Sequence, residues 1–323
     1  MTRAAGYGRK RSVDQGEVLL DVGDPALQIF LVTKGRLEIV RPEGTRQDFV
    51  SVTELGPGQF SGEVSSLSGQ AAMVRIRAVA PSEVIEVHRE RLLAAVQTDP
   101  ELSDILMRSF ILRRVELIAR GLGDAVLLGS NHCAGTLRIR EFLTRNNHPY
   151  TDIDLDREAD VQQVLDQFRI SVADIPVLIC RGTTVLRNPT NQQIADCLGF
   201  NKAIDVTKAR DLVIVGAGPA GLAAAVYGAS EGLDVLVVEA SAPGGQAGAS
   251  SKIENYLGFP TGISGHDLAL AAHTQAQKFG AQLMVAKGAT RLGCARKPYT
   301  GGIDGAEEAE ARAIIIATGA EYR

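Results

Sequence analysis

Three glycines stand at the spacing that brings a polypeptide backbone against phosphate groups. Gly216, Gly218 and Gly221 follow an apolar run at 211–215. The next apolar run ends in Glu239, eighteen residues beyond Gly221. Gly216 permits a tight turn, Gly218 allows close backbone approach, and Gly221 lets a helix lie against the strand. Amide groups and the helix dipole favour a pyrophosphate at this turn, and the acid is placed to accept hydrogen bonds from a ribose.

A strand, a helix and a second strand must position these residues. Residues 211–215 and 235–238 are short apolar runs, and the alanine-rich stretch between them suits a helix that has Pro219 and Ala220 in its first turn. This order predicts the first half of a dinucleotide-binding βαβ unit. The glycine spacing alone is a weak signal, whereas strand, glycines, helix, strand and acid together are specific. The alternative is a glycine-rich turn before an ordinary helix.

Four later segments narrow the predicted ligand: Pro243–Gln246, Ile253–Pro260, Ile263–Leu268 and Ala313–Ala320. Together with the glycine turn they closely resemble the flavin domain of low-molecular-weight thioredoxin reductases over residues 211–320. The resemblance implies FAD as the cofactor. It implies that one group of residues lines the flavin and a second closes the adenine and pyrophosphate side. The first group is Gly244, Gly245, Gln246 and Asn255, and the second is Thr318 and Gly319. A plain loop at 244–245 is the alternative there.

The resemblance also implies parts that this sequence lacks. Thioredoxin reductases carry an NADPH domain after the Ala-Thr-Gly strand, and that domain holds a Cys-x-x-Cys motif. No Cys-x-x-Cys is present here, and the sequence stops at Arg323. We therefore expect a flavin domain cut short before the NADPH domain, with NADPH used only by a complete family member. The stop is interpreted either as a truncated sequence or as a flavin-binding remnant.

Composition limits the number of domains, the classes of partner and the kinds of site that we expect. The chain has 323 residues, 45% of them hydrophobic and 22% charged, with a net charge of −4. These values suit two or three globular domains and give no support for general nucleic-acid binding. No apolar signal segment opens the chain, so we expect a cytoplasmic protein without a membrane anchor. The four cysteines and five histidines are dispersed, which predicts neither a metal site nor a disulfide framework.

The sequence pattern of the N-terminal third predicts an antiparallel β-roll followed by helices. Apolar residues alternate at 27–32 and 37–40 around a turn at 33–36, and helical spacing runs from Leu92 to Ile118 with a break at Pro100. Residues 12–120 resemble a cyclic-nucleotide-binding domain. The helical tail is interpreted as covering its own roll, with pairing to a second copy as the alternative.

The phosphate cassette of that family is only partly preserved. Its Gly-Glu pair and the following residue match Gly62, Glu63 and Val64. By the resemblance, Glu63 holds the ribose 2′-hydroxyl. Ala72 (or Ala71) replaces the arginine that pairs with the cyclic phosphate, and Arg75 and Arg77 alternate towards the outer face. Losing a charge-assisted contact removes about 1.5–3 kcal/mol. The site is therefore a cyclic-nucleotide pocket, a scaffold or interaction module, or a sensor of another ligand.

Residues 124–200 have their own α/β pattern. Strands are predicted at 125–129, 150–156, 175–180 and 185–187, and helices at 136–144, at 159–168 and before Gly199. This βαβαββα order resembles a thioredoxin or glutaredoxin domain. Pro176 matches the proline, usually cis, that precedes the third strand of that fold.

Cys133 falls at the first cysteine of the thioredoxin motif, and Thr136 at the second. A cysteine at a helix N-terminus has its thiolate stabilised by the helix dipole, and His132 adds to that effect when charged. Without a second cysteine in the motif, a dithiol cycle is excluded and a monothiol mechanism remains. The alternative is a degenerate fold used as a spacer or docking surface. Cys180 and Cys197 are interpreted as small core residues.

These patterns predict a multidomain α/β and α+β protein with three parts: 1–122 a cyclic-nucleotide-binding-like β-roll with helices, 123–203 a thioredoxin-like domain, and 204–323 a partial Rossmann-type FAD-binding domain. The leading hypothesis is a FAD-dependent, thioredoxin-reductase-like disulfide oxidoreductase with an N-terminal regulatory domain. Its expected partners are a thioredoxin-like protein or small disulfide, an effector and a second copy of the chain. The alternatives are a ligand-sensing regulator, which would need a helix-turn-helix after residue 120, and a scaffold that binds flavin without catalysis.

Overall fold

The computed structural model describes residues 6–42, 49–63, 65–157, 170–201, 204–205, 207–304 and 308–320. These residues form two compact units. The first comprises residues up to 144 together with 148–202, and the second comprises 145–147 together with the chain from 203 onwards. The first unit contains a β-roll, helices and a small four-stranded sheet, and the second contains one six-stranded sheet with two long helices.

The β-roll consists of two antiparallel sheets. Its strands are β1 (Arg9–Val13), β2 (Val18–Leu20), β3 (Gln28–Lys34), β4 (Leu37–Pro42), β5 (Phe49–Leu55), β6 (Arg75–Ala78) and β7 (Ser82–His88). The sheet orders are β1-β7-β3 and β2-β6-β4-β5, and every pairing is antiparallel, as predicted. Phe30, Leu37 and Val84 are fully buried in the core between the sheets. Residues 29–32 of β3 are all buried, because Phe30 and Val32 pack between the sheets while Ile29 and Leu31 pack in a second apolar cluster.

Three helices accompany the roll: α1 (Ser65–Ser68), α2 (Arg89–Thr98) and α3 (Pro100–Ala119). The break predicted at Pro100 is the start of α3, because a proline in the first turn of a helix loses no hydrogen bond. Asp99 caps α3 by accepting a hydrogen bond from the amide of Leu102 at 3.1 Å. Leu106 and Phe110 pack in a buried cluster with β3 and β7. The predicted role of the helical tail, covering its own roll, is confirmed.

The small sheet of the first unit is built from β8 (Ala125–Gly129), β9 (Tyr150–Asp154), β10 (Val177–Cys180) and β11 (Thr184–Arg187), with helices α4 (Ala134–Arg145) and α5 (Asn191–Leu198). The order is β11-β10-β8-β9, with β8 and β9 parallel and the other pairs antiparallel. Each strand and helix predicted for this segment is present where the structure describes the chain. The helix predicted at 159–168 lies outside the described residues.

Two strands of this sheet are shorter than predicted, for local reasons. The strand predicted to reach residue 156 ends at Asp154, whose carboxylate accepts a hydrogen bond from the amide of Asp156 at 3.1 Å and starts a turn. The strand predicted from residue 175 begins at Val177, because Pro176 has no amide hydrogen to give to a neighbouring strand. The Ile175–Pro176 peptide bond is cis, as predicted.

The second unit is organised around a mostly parallel sheet. Its elements are β12 (Arg210–Val215), α6 (Pro219–Ser230), β13 (Val235–Val238), α7 (Gly265–Lys278), β14 (Gln282–Met284), β15 (Ala289–Gly293), β16 (Tyr299–Ile303) and β17 (Glu308–Ile316). The order is β14-β13-β12-β17-β16-β15. β14, β13, β12 and β17 run parallel, and β16 and β15 continue the sheet antiparallel. All four residues of β13 are buried, which is typical of a strand with both faces covered.

Candidate functional site

The glycine turn joins β12 to α6 at the carboxyl end of the parallel strands. Gly216 has a φ of +101°, and a Cβ added there would lie 2.4 Å from the carbonyl oxygen of Ala317. A Cβ added at Gly221 would lie 1.9 Å from the carbonyl oxygen of Gly216. Neither position has room for a side chain, so these two glycines are required by the packing of the turn itself.

Gly218 differs from its two neighbours. Its φ of −69° is open to any residue, and a Cβ added there would meet no atom closer than the Cα of Gly245, at 4.0 Å. It is the N-cap of α6, followed by Pro219 and Ala220 in the first turn. First-turn amides have no intrahelical acceptor, and the helix dipole favours an anion there. Since packing does not require this glycine, its absent side chain suits the approach of a ligand to the backbone.

Glu239 directly follows β13 and faces the same turn. One carboxylate oxygen accepts a hydrogen bond from the amide of Ala217 at 2.7 Å, and the other accepts one from the amide of Ser241 at 2.9 Å. The residue is half-buried. Each carboxylate oxygen has a further lone-pair direction, so a hydroxyl donor of a ribose could still be bound. The backbone contacts fix the carboxylate beside the turn.

The second glycine pair also reaches this turn. Gly244 and Gly245 both have positive φ values, +98° and +54°. The amide of Gly244 donates to the carbonyl of Ala217 at 2.8 Å, and a Cβ added at Gly245 would lie 3.0 Å from the Cα of Gly218. Two backbone segments without side chains are therefore in close contact here. The plain-loop alternative does not account for this contact.

The chain after β17 completes the group. A Cβ at Gly216 would lie 3.2 Å from the Cα of Thr318, and the side-chain amide of Gln246 donates to the carbonyl of Ala320. Thr318 and Gly319 are exposed. Asn255 is also exposed, two residues beyond the β-bridge that joins Ile253 to Ile263. Its role in a flavin site stays a prediction.

The residues brought together at this edge fit a dinucleotide cofactor. The carboxyl ends of parallel strands, a helix N-terminus, an acid fixed beside it and a surface of glycine backbone are the features that such ligands use. The space beside Gly218 is one that a Cβ would occupy and that no protein atom fills. A separate, mainly apolar cavity of about 240 Å³ lies in the same unit, where β12 and β17 face β15 and β16, and Thr318 lines it.

The first unit contains a larger cavity, of about 360 Å³, inside the β-roll. Gly62 and Glu63 line it, as predicted, and Val64 lies outside the described residues. Ala72 also lines it and is 4% exposed. The outward placement of the arginines on β6 is confirmed: Arg75 pairs with Asp21 at 2.7 Å, Arg77 pairs with Glu38 at 2.8 Å, and neither lines the cavity.

Two arginines of α3 contact the cassette, and the sequence reasoning missed both. Arg114 is buried, and its Nη2 lies 2.7 Å from Oε2 of Glu63 and donates to Oγ of Ser65 at 2.7 Å. Arg113 donates from Nη1 to the carbonyl of Gly62 at 2.7 Å, with its guanidinium 4.5 Å above the ring of Phe60. An Arg-Arg pair within an apolar helical spacing could have signalled them, since charged residues on a packing face need partners.

Cys133 precedes α4, where its carbonyl accepts the amide of Leu137. The backbone amide and hydroxyl of Thr136 hold the pKa of the Cys133 thiol below its usual range, because both hydrogen bonds favour the thiolate. Cys180 is fully buried, as predicted for a core residue, whereas Cys197 is only half-buried. Contact with Cys197 and burial raise the pKa of the Cys180 thiol.

The described parts of the chain also bear on metal binding and on membrane insertion. No grouping of His, Cys, Asp and Glu side chains there could hold a metal ion. None of the helices in those parts is both long and apolar enough to cross a lipid bilayer.

Two segments of the chain are similar to known protein families. Residues 10–99 match the cyclic nucleotide-binding domain family, and residues 210–323 match the pyridine nucleotide-disulphide oxidoreductase family. Over 116 residues the chain is 42% identical to a thioredoxin reductase of Bacillus subtilis (strain 168), covering 36% of each protein. Over 118 residues it is 42% identical to that of Aquifex aeolicus (strain VF5), again covering 36% of each. The chain thus spans about a third of the length of these relatives.

One solved structure is also similar to part of the chain. The crystal structure of the thioredoxin reductase from Streptococcus pyogenes MGAS5005 has 36% sequence identity to the matched part, which is 36% of this chain and 37% of that one, with a TM-score of 0.34. The similarity in sequence is thus to an oxidoreductase family and to a cyclic-nucleotide-binding family, each over its own segment.

Proposed function

We propose that this protein is a FAD-dependent disulfide oxidoreductase of the thioredoxin-reductase type, with a ligand-responsive N-terminal domain. One observation carries the proposal: Gly218 stands at the N-terminus of α6 with open space where its side chain would be, beside Gly245 and the carboxylate of Glu239. The sequence similarity of residues 210–323 to oxidoreductases supports the same conclusion.

In this proposal the backbone of residues 216–221 binds the pyrophosphate and Glu239 binds the adenosine ribose. Gly245 and Gln246 lie along the flavin, and Thr318 and Gly319 close the adenine side. When bound, FAD supplies two-electron redox chemistry. The contribution of the chain's own residues is to hold the cofactor by amides that are already oriented, so that little conformational freedom is lost on binding.

We extend the proposal to the middle segment, which we interpret as a thioredoxin-like domain with a single motif cysteine. The lowered pKa of Cys133 keeps more of its thiol in the reactive thiolate form. Its sulfur would attack one sulfur of an external disulfide, forming a mixed disulfide and releasing the other sulfur as a thiolate. An external thiolate would then attack the substrate-derived sulfur of the mixed disulfide and form a new disulfide with it. The bond to Cys133 would break, and the Cys133 thiolate would be restored.

The limits 1–122, 123–203 and 204–323 are our proposed domain boundaries. A thioredoxin-like protein or a small disulfide is the proposed substrate, with NADPH as electron source where an NADPH domain is available. The proposed setting is the cytoplasm, because reduced thiols persist there. Homodimerisation is proposed through the outer face of α3, where Leu112 and Val115 are 67% and 47% exposed.

The test has two parts. The purified full chain is incubated with FAD, freed of excess cofactor, and denatured to count the flavin released per chain. The loaded protein is then reduced anaerobically with dithionite, freed of excess reductant, and mixed with a chromogenic aromatic disulfide beside an equal amount of free reduced FAD. We expect about one flavin per chain and faster thiolate release than from free flavin. Absence of bound flavin would contradict the proposal.

The second candidate is a regulatory protein that binds flavin without catalysis. Thr136 at the position of the second motif cysteine and Ala72 at the position of the cassette arginine favour it. It predicts one flavin per chain but thiolate release no faster than from free reduced FAD. The second part of the experiment therefore separates the two candidates.

A further inference from the structure

The cavity of the β-roll has the size and lining of a small-molecule site. Its volume of about 360 Å³ falls within the range of roughly 300–1,000 Å³ that ligand pockets have. Most of the residues around it are apolar. The apolar residues that lie on strands all belong to the β2-β6-β4-β5 sheet, and Leu117 is contributed by α3. The apolar lining includes Leu20, Ile39, Leu55, Ala72, Val74 and Ile76. This part of the wall offers a ligand no charge.

The charged lining is confined to the cassette and α3. Of the described residues that line the cavity, the charged ones are Glu63, Arg113, Glu116 and Arg120. Glu116 and Arg120 pair with each other at 3.0 Å and are exposed. Glu63 is ion-paired with the buried Arg114, with 2.7 Å between Oε2 and Nη2. One carboxylate therefore serves two arginines, and the charge around Gly62 sums to about +1.

Arg113 shares its negative counter-charge, Glu63, with Arg114. Burial holds the pKa of its guanidinium below the usual range, and the charge of Glu63 opposes that effect. A partly buried cation without its own anion is unfavourable, and an anionic ligand would remove the penalty. The guanidinium is also fixed in place by the carbonyl of Gly62 at 2.7 Å and by the ring of Phe60 at 4.5 Å.

We infer that this cavity binds an amphipathic monoanion, with its anionic group at Arg113 and its apolar body against the wall that includes Ala72. The resemblance to cyclic-nucleotide-binding domains implies the opposite arrangement, in which the anion pairs with an arginine at the position of Ala72. Because Arg113 belongs to α3, such a ligand would contact the helix and the roll together, which suits an effector.

The inference is tested by calorimetry on the full chain with a matched pair of probes, octanoate and 1-octanol. We expect saturable octanoate binding that is at least about tenfold tighter than octanol binding, because a charge-assisted contact is worth that factor. Arg113→Gln should remove this preference. Arg120→Gln is the matched control: it lines the same cavity but is paired with Glu116, so the preference should stay within about twofold. Ala72→Phe should abolish binding of both probes by filling the cavity.

Three results would overturn the inference: no saturable octanoate binding at millimolar concentration, equal affinities for the two probes, or a preference that survives Arg113→Gln. Cyclic AMP binding that exceeds octanoate binding and is insensitive to Arg113→Gln would also overturn it, because the anion would then lie elsewhere. Thermal unfolding of each variant checks folding, and Val74→Phe replaces Ala72→Phe if that variant is unfolded. Loss of flavin binding leaves this test unaffected, because every residue in it belongs to the first unit.

Discussion

The glycine turn of the second unit would bind its ligand through backbone groups. The cavity of the β-roll would bind its ligand through side chains. At residues 216–221 the protein offers amides and empty space, and two of the three glycines are required by packing alone. In the roll it offers side chains, and Ala72 stands where the family resemblance implies an arginine. A site built from backbone changes its ligand class only if the fold changes. A site built from side chains can change it with a single substitution, such as the alanine at position 72.

The largest effect is expected at Gly221, in the site that is built from backbone. Gly221→Ala would place a methyl group 1.9 Å from the carbonyl oxygen of Gly216, so we expect a loss of at least about 3 kcal/mol in unfolding free energy and no retained flavin. Denaturant unfolding and flavin release measure the two effects. Gly232→Ala is the control for a glycine with positive φ and open space outside the proposed site, and it should retain flavin. Normal stability of Gly221→Ala would contradict the packing argument.

Glu239 is the one charged residue among those proposed to bind FAD, so it tests how far that site depends on backbone alone. Glu239→Ala removes the acceptor proposed for the ribose and leaves the amide of Ala217 without its 2.7 Å partner. We expect FAD affinity to fall about 10- to 100-fold, as for loss of a charged hydrogen bond. Quenching of flavin fluorescence measures this. Glu231→Ala, at the exposed far end of α6, should change affinity less than twofold.

For the roll, the comparison predicts that one side chain can restore the ligand class of the family. Ala72→Arg places a guanidinium at the cavity wall, and we expect affinity for cyclic AMP to rise at least about tenfold over the unmodified protein. Calorimetry with cyclic AMP measures the gain. Ala72→Gln is the uncharged control and should give little. If both variants behave alike, the missing arginine does not set the ligand class.

The smallest expected effect concerns the third site, Cys133. Its pKa is lowered by Thr136, so the thiolate persists to lower pH than in an ordinary cysteine. Thr136→Val removes the hydroxyl contact but keeps the backbone amide, so the alkylation rate should begin to rise at a higher pH. The rate of iodoacetamide reaction as a function of pH measures this, with exposed Cys294 as the internal reference. Unchanged profiles would show that Thr136 does not stabilise the thiolate.

Regular elements and the glycine turn were predictable because each is specified locally. The two strands β3 and β4, the break at Pro100 and the glycine turn at 216–221 depend on residues close in sequence, and all appear in the structure. The cap of α7 is equally local: the hydroxyl of Ser264 accepts a hydrogen bond from the amide of Asp267, three residues on, at 3.0 Å.

Contacts between residues that are distant in the sequence were harder to predict. Nothing local in the sequence indicates that Arg114 reaches Glu63 across 51 positions, or that Gly245 touches Gly218. The contact between Cys180 and Cys197 was also missed, because a strand end and a helix meet only through the packing of α5 on the sheet. Such pairings depend on how elements pack rather than on periodicity.

Gly218→Ala tests the central claim most directly, because its backbone is unstrained and its added methyl group meets no protein atom closer than 4.0 Å. Thermal unfolding and FAD binding should be measured side by side on this variant and on the unmodified chain. The account predicts an unchanged unfolding midpoint in the absence of cofactor and a loss of at least about tenfold in FAD affinity, because the methyl group would occupy the approach to the α6 amides. Unchanged FAD affinity would contradict a dinucleotide site at this turn.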